Sequence, residues 1–210
     1  MPETSKWIVA LCLSFWLGTA WAQELAPDAQ MKQFTREVID AIKQDKDAQT
    51  NSRKKIYELV STKSLPHFDF GRMTALAMGR NWLNASVEQQ STLTSEFRTL
   101  LVNSLSSALS SYRNEVIEFK PQRAVPGASQ VTVKFQIQRP GVEAISIDYG
   151  MEKSAAGWMV YDVVVAGVNL VTNYRETFNV AIRDGGVDGL IKSLVNKNRA
   201  LESQTVSWPR

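Results

Sequence analysis

Few residues in this chain are equipped for covalent chemistry. The 210 residues include one cysteine, Cys12, and one histidine, His67. One of each cannot assemble a zinc site of ordinary ligand type or a cysteine cluster. A Ser-His-Asp triad would have to use His67, yet no G-x-S-x-G flanks any serine. His67 therefore reads as structural or exposed. No G-x-x-x-x-G-K-[ST] or G-x-G-x-x-G occurs, which leaves nucleotide binding without support. The run DGGVDG at 184–189 lacks the ligand ladder and terminal glutamate of a calcium loop and reads as a turn between helices. The acid of most interest is Asp162. Strict alternation along 158–165 puts it on one face with Trp158, Val160 and Val164. A carboxyl on so apolar a face would have a raised pKa and, with Tyr149, would suit a cone-type α+β isomerase or hydrolase. The competing reading has Asp162 bonded to backbone N–H groups or paired with an arginine such as Arg175.

Basic residues cluster in two places, Arg53-Lys54-Lys55 and the trio Lys192, Lys197 and Arg199. They form either solvated faces or a docking surface for an acidic partner or head group. A formal charge of +3 is too mild for a nucleic-acid footprint.

The elements that must position these residues follow from the hydrophobic period. Residues 1–22 form an export signal: Lys6 supplies charge, 7–17 is an apolar run, and Ala20-Trp21-Ala22 offers a small-x-small cleavage site. That run is too short to span a bilayer. Cleavage would remove Cys12 and leave 23–210 as one domain without a thiol. Met31, Phe34, Val38, Ile39 and Ile42 form one helical stripe, and Ile56, Tyr57, Leu59 and Val60 a second. Asp69 can cap a third helix that stops near Gly79. Ser86 with Gln89 is a capping-box pair opening a long helix, with Leu93, Phe97, Leu100, Leu101, Leu105, Ala108, Leu109 and Tyr112 inward.

From Glu115 the period falls to two. Segments 131–138 and 145–152 alternate strictly, joined by a turn at Arg139-Pro140-Gly141; 158–165 is a covered strand and 116–119 a fourth. Helices return at 170–183 and 187–198, separated by Asp184-Gly185-Gly186. The order predicts an α+β fold, with N-terminal and C-terminal helices packed on a curved, mainly antiparallel four-stranded sheet. Between the layers the sheet offers Val133, Phe135, Ile147, Tyr149, Trp158 and Val160. The helices offer Met73, Leu76, Phe97, Leu101 and Leu105. These are either a packed core or the walls of an apolar cavity, for which methionine suits irregular aliphatic ligands.

Three segments carry a family resemblance. FDFGRMTALAMGRNW at 68–82, GWMVYDVVVAGVNLVTNYRETF at 157–178 and GLIKSLVNKN at 189–198 resemble, in order and spacing, the hallmark segments of MlaC-type (toluene-tolerance) periplasmic lipid carriers. The likeness runs from about residue 30 to 200. Ala166 and Asn169 depart from it, standing where Glu and Ser are expected. The resemblance implies a monomeric carrier without catalytic activity or cofactor, whose cargo is glycerophospholipid. It further implies partners in an inner-membrane ABC transporter with a substrate-binding ring and an outer-membrane lipoprotein–porin complex, and a role in outer-membrane lipid asymmetry. On that reading Tyr149 and Val171 are the best-placed lining residues. A cone-type enzyme and a purely structural envelope module stay open as alternatives.

Overall fold

The computed structural model describes residues 25–45, 53–64, 66–110, 115–121 and 127–204. The expected signal at 1–22 and the inward Tyr112 lie outside them. Among the described residues, five helices and a five-stranded sheet make an α+β fold: α1 (Pro27–Gln44), α2 (Arg53–Ser64), α3 (Phe70–Met78), a 3-10 turn (Gly79–Asn84), α4 (Val87–Leu109), β1 (Val116–Phe119), β2 (Gln130–Arg139), β3 (Val142–Ser154), β4 (Gly157–Val165), β5 (Val168–Asn169) and α5 (Leu170–Gln204).

Local chemistry sets the helix ends. Pro27 occupies the first turn of α1, where its missing N–H costs nothing, and the stripe Met31, Phe34, Val38, Ile39 and Ile42 is buried. The Asp69 carboxylate accepts from the Arg72 N–H at 2.8 Å and caps α3. At α4 the box is reciprocal: Gln89 N–H donates to Ser86 Oγ at 3.2 Å, and Ser86 N–H to Gln89 Oε1 at 2.9 Å. α5 is broken at Gly185 and at Gly186, whose φ of 67° and ψ of −170° suit glycine alone. The two arms then lie so close that a Cβ on Gly189 would meet the Ala181 carbonyl at 3.3 Å. This is the break expected at 184–186.

The sheet is an antiparallel meander, β1-β2-β3-β4-β5. It has one strand beyond the expected four, because Val168 and Asn169 fold back on Val165 and Val164. Phe119, Phe135 and Ile147 are aligned across β1, β2 and β3, as are Val133 and Tyr149 across β2 and β3. α3 packs on β4, α1 on β2, and α5 on both α3 and α4. The core between the layers holds Met31, Phe97, Met73, Val133, Met151 and Val160.

β4 departs from the strict alternation expected along 158–165. The pairing runs Met151 with Val160 and then Gly150 with Asp162, so Tyr161 is an extra residue in a β-bulge. The bulge reverses the phase of β4: Trp158 and Val160 are buried before it, Val163 after it. Asp162 consequently does not share the inward face of Trp158 and Val160.

Candidate functional site

An apolar cavity of 310 Å³ lies between the helices and the sheet. Its walls come from four places. The end of α2 and the start of α3 supply Ser64, Phe68, Phe70 and Met73; α4 supplies Leu101, Val102, Ser104, Leu105, Ala108 and Leu109. The strands contribute Ile137, Ile145, Ile147, Tyr149, Val163 and Val165, and the first turns of α5 contribute Leu170 and Tyr174. Among the described residues, Glu115 is the one carboxylate on the wall. Exposed Ser104 and Ala108 mark the solvent side, whereas Phe68, Phe70, Met73 and Tyr149 form the buried side.

Of the residues expected to line a site, Met73, Leu101, Leu105, Ile147 and Tyr149 are brought together on this wall. Leu76, Phe97, Val133, Phe135, Trp158, Val160 and Val171 are placed elsewhere, for identifiable reasons. Phe135 stacks on Phe119 with centroids 5.3 Å apart and meets the Tyr149 ring at 5.3 Å, which fills that part of the interlayer space. Phe97 is enclosed by the edges of Tyr174 and Phe178 at 5.0 and 5.1 Å. Val160 is bridged to Phe68 in the segment before α3, its N–H donating to the His67 carbonyl at 2.8 Å. The Trp158 carbonyl accepts from Gln30 Nε2 at 2.7 Å, beneath α1. Leu76 sits where its carbonyl accepts from the Arg175 guanidinium at 2.7 Å. Val133 and Val171 are packed core, at 1% and 3% exposure.

Several wall residues were not singled out from sequence. Ile137 and Ile145 continue the inward phase of β2 and β3 toward the hairpin turn, a signal the alternation carried. Val163 and Val165 were hidden by the bulge. Phe68, Phe70, Leu170 and Tyr174 depend on how the segment before α3 and the start of α5 meet the sheet.

Electrostatics are muted. Burial holds the Tyr149 phenol well above its ordinary pKa. Tyr174 is also raised, chiefly by burial and in spite of an opposing hydrogen bond with Ser104. Both phenols are neutral near pH 7. His67 is off the wall, half-buried beside the Phe34 ring at 5.0 Å, with Gln30 Nε2 3.2 Å from its Nδ1. Burial keeps its pKa low. The Asp162 carboxylate accepts from the Val163 N–H at 2.9 Å and from Asn169 Nδ2, and Asn169 Oδ1 in turn accepts from Thr172 N–H at 2.7 Å. It pins the bulge to the start of α5 and does not face Tyr149. Arg175, its suggested partner, is engaged at Leu76 instead. The cavity thus brings no acid–base pair together among its described walls. It provides an apolar surface for hydrocarbon, with hydroxyls at a few points.

Comparison with known proteins agrees with this geometry. A family model described as MlaC protein matches residues 16–196. The intermembrane phospholipid transport system binding protein MlaC of Haemophilus influenzae is 22% identical over 198 residues, covering 91% of this chain and 92% of its own. The toluene tolerance protein ttg2D of Pseudomonas putida is 23% identical over 182 residues, covering 86% of this chain and 83% of its own. A phospholipid-binding protein from Ralstonia solanacearum, solved in complex with a phospholipid, superposes with a TM-score of 0.79 at 35% identity, over 85% of this chain and 99% of that one. Three segments read from sequence, an α+β fold around an apolar cavity and a family match across most of the chain agree, and the chain belongs to the MlaC protein family.

Proposed function

We propose that this protein is an export-dependent carrier of glycerophospholipid. It takes acyl chains into the cavity between helices and sheet and leaves the head group on the solvent side, near Ser104 and Glu115. After removal of residues 1–22 it works in the periplasm as a monomer. There it moves lipid between an outer-membrane lipoprotein–porin complex and an inner-membrane ABC transporter with a substrate-binding ring, and so maintains outer-membrane asymmetry. No helix among the described residues is long and apolar enough to cross a membrane.

The observation that supports this reading is the wall itself, mainly aliphatic and aromatic side chains around 310 Å³. The energetics suit transfer rather than reaction. Burying a methylene is worth about 0.8 kcal/mol, so two tails of roughly 15 methylenes each lose about 24 kcal/mol if drawn into water. A carrier must replace most of that with apolar contact and needs little else. The test is to purify the protein from the periplasm, extract it with organic solvent and assay phospholipid by mass spectrometry. Stoichiometric phospholipid is expected; a folded protein with no extractable lipid would refute the reading.

A further inference from the structure

One wall residue is chemically out of place for a pure hydrocarbon site. Tyr149 is 7% exposed and stands on the buried side of the cavity. Its ring lies against the Phe68 ring at 6.0 Å and the Phe135 ring at 5.3 Å, which holds it among the aromatic side chains of that side. Burial alone acts on its proton, with no hydrogen bond from the described residues to offset it. The other wall hydroxyls are engaged within the protein. Ser64 Oγ donates to the Ser61 carbonyl at 3.4 Å and Ser104 Oγ to the Leu100 carbonyl at 2.9 Å, and Tyr174 is bonded with Ser104.

When alkyl chains fill the cavity, water leaves the Tyr149 hydroxyl, and a buried donor without an acceptor is strongly disfavoured. In a glycerophospholipid the acceptors that adjoin the tails are the two ester carbonyls. We propose that Tyr149 Oη donates a hydrogen bond to one of these carbonyls, which draws the glycerol backbone inside the cavity and makes the site selective for ester-linked over ether-linked chains. This rests on the carrier reading, and the following experiment separates the two.

The delipidated full-length mature protein is titrated with two phosphatidylglycerols of equal chain length, one carrying two hexadecanoyl esters and the other two hexadecyl ethers. The wild type is expected to prefer the ester by about tenfold, the ratio for one neutral hydrogen bond in a dry site. Tyr149→Phe keeps the ring contacts and removes the unsatisfied donor, so it brings the two affinities together. Equal affinities in the wild type, or a preference that survives in Tyr149→Phe, would overturn the proposal while leaving the carrier reading intact. Failure of the wild type to bind either lipid would overturn both. A second measurement needs no variant: the infrared band of a ¹³C-labelled ester carbonyl should move to lower frequency on binding, relative to the same lipid in hydrocarbon. An unshifted band would equally overturn the assignment.

Discussion

A glutamate placed on the wall and one placed in the packed core should fail in opposite ways. Leu105 lines the cavity and is partly exposed, so Leu105→Glu can hold its carboxylate toward solvent in the lipid-free protein. Acyl chains would have to strip water from that charge, at several kcal/mol for an unpaired ion. Loading should then fall by about a thousandfold, since each 1.4 kcal/mol is tenfold. Val171 is 3% exposed and does not line the cavity. Val171→Glu must bury its charge in the folded protein itself, costing on the order of 4 kcal/mol out of a total stability of about 5–15. For a domain of this size each kcal/mol moves Tm by about 2–4 °C, so a drop of roughly 8–16 °C is expected. Circular-dichroism melts and solvent extraction on the same preparations read both effects. If Val171→Glu melts like the wild type but carries no lipid, the cavity extends past Val171 and the wall is misplaced. If Leu105→Glu keeps its lipid, this cavity does not hold the acyl chains.

Three further outcomes follow from local geometry. Ala166 holds φ at 49° in the β4–β5 turn, a left-handed conformation that costs a non-glycine residue about 1–2 kcal/mol. Ala166→Gly should therefore raise Tm by a few degrees after the entropic cost of glycine, and an unchanged or lower Tm would contradict that strain. The His67 pKa is held below its ordinary value of 6.5, first by burial, so on acidification the unfolded chain takes up this proton before the folded one. Its contribution to stability is intact above pH 6.5 and declines as pH falls below it. His67→Gln should flatten urea-derived stability between pH 7.5 and 5.5, and a slope identical to wild type would refute the assignment. Asp162→Ala removes the carboxylate that joins the bulge to Asn169, and should cost about 1–3 kcal/mol while the protein still loads lipid. Unchanged stability with lost lipid would return Asp162 to a direct role in the site.

The architecture was legible wherever a local rule has one solution. Ser86 with Gln89 can only be a capping box, Gly185-Gly186 breaks a helix, and the polar partners of Val131, Val133, Phe135 and Ile137 mark the phase of β2. β4 shows where such reading stops. Val160, Val163, Val164 and Val165 are apolar on both faces, so nothing in their order reveals that Tyr161 is a bulge. One inserted residue moves Asp162 to the other face and brings Val163 and Val165 onto the wall. Core and cavity are equally indistinct, because Phe135 and Ile147 are alike in type and neighbours across one strand pair. What separates them is the Phe119–Phe135–Tyr149 ring cluster, which fills the interlayer space at one end. The wall opens where β2 and β3 approach their hairpin turn, and only the placement of α4 and α5 against the sheet reveals it.

The central claim is that acyl chains occupy the space between α4, the sheet and the start of α5. A phospholipid with a photoactivatable diazirine midway along one tail, loaded into the purified protein, irradiated and mapped by peptide mass spectrometry, tests it most directly. The account predicts label on wall residues such as Leu101, Leu105, Ile147, Val163 and Tyr174. Label confined to the exposed apolar pair Leu83 and Val87, at 85% and 76% exposure, or to packed Val133 and Phe97, would contradict it.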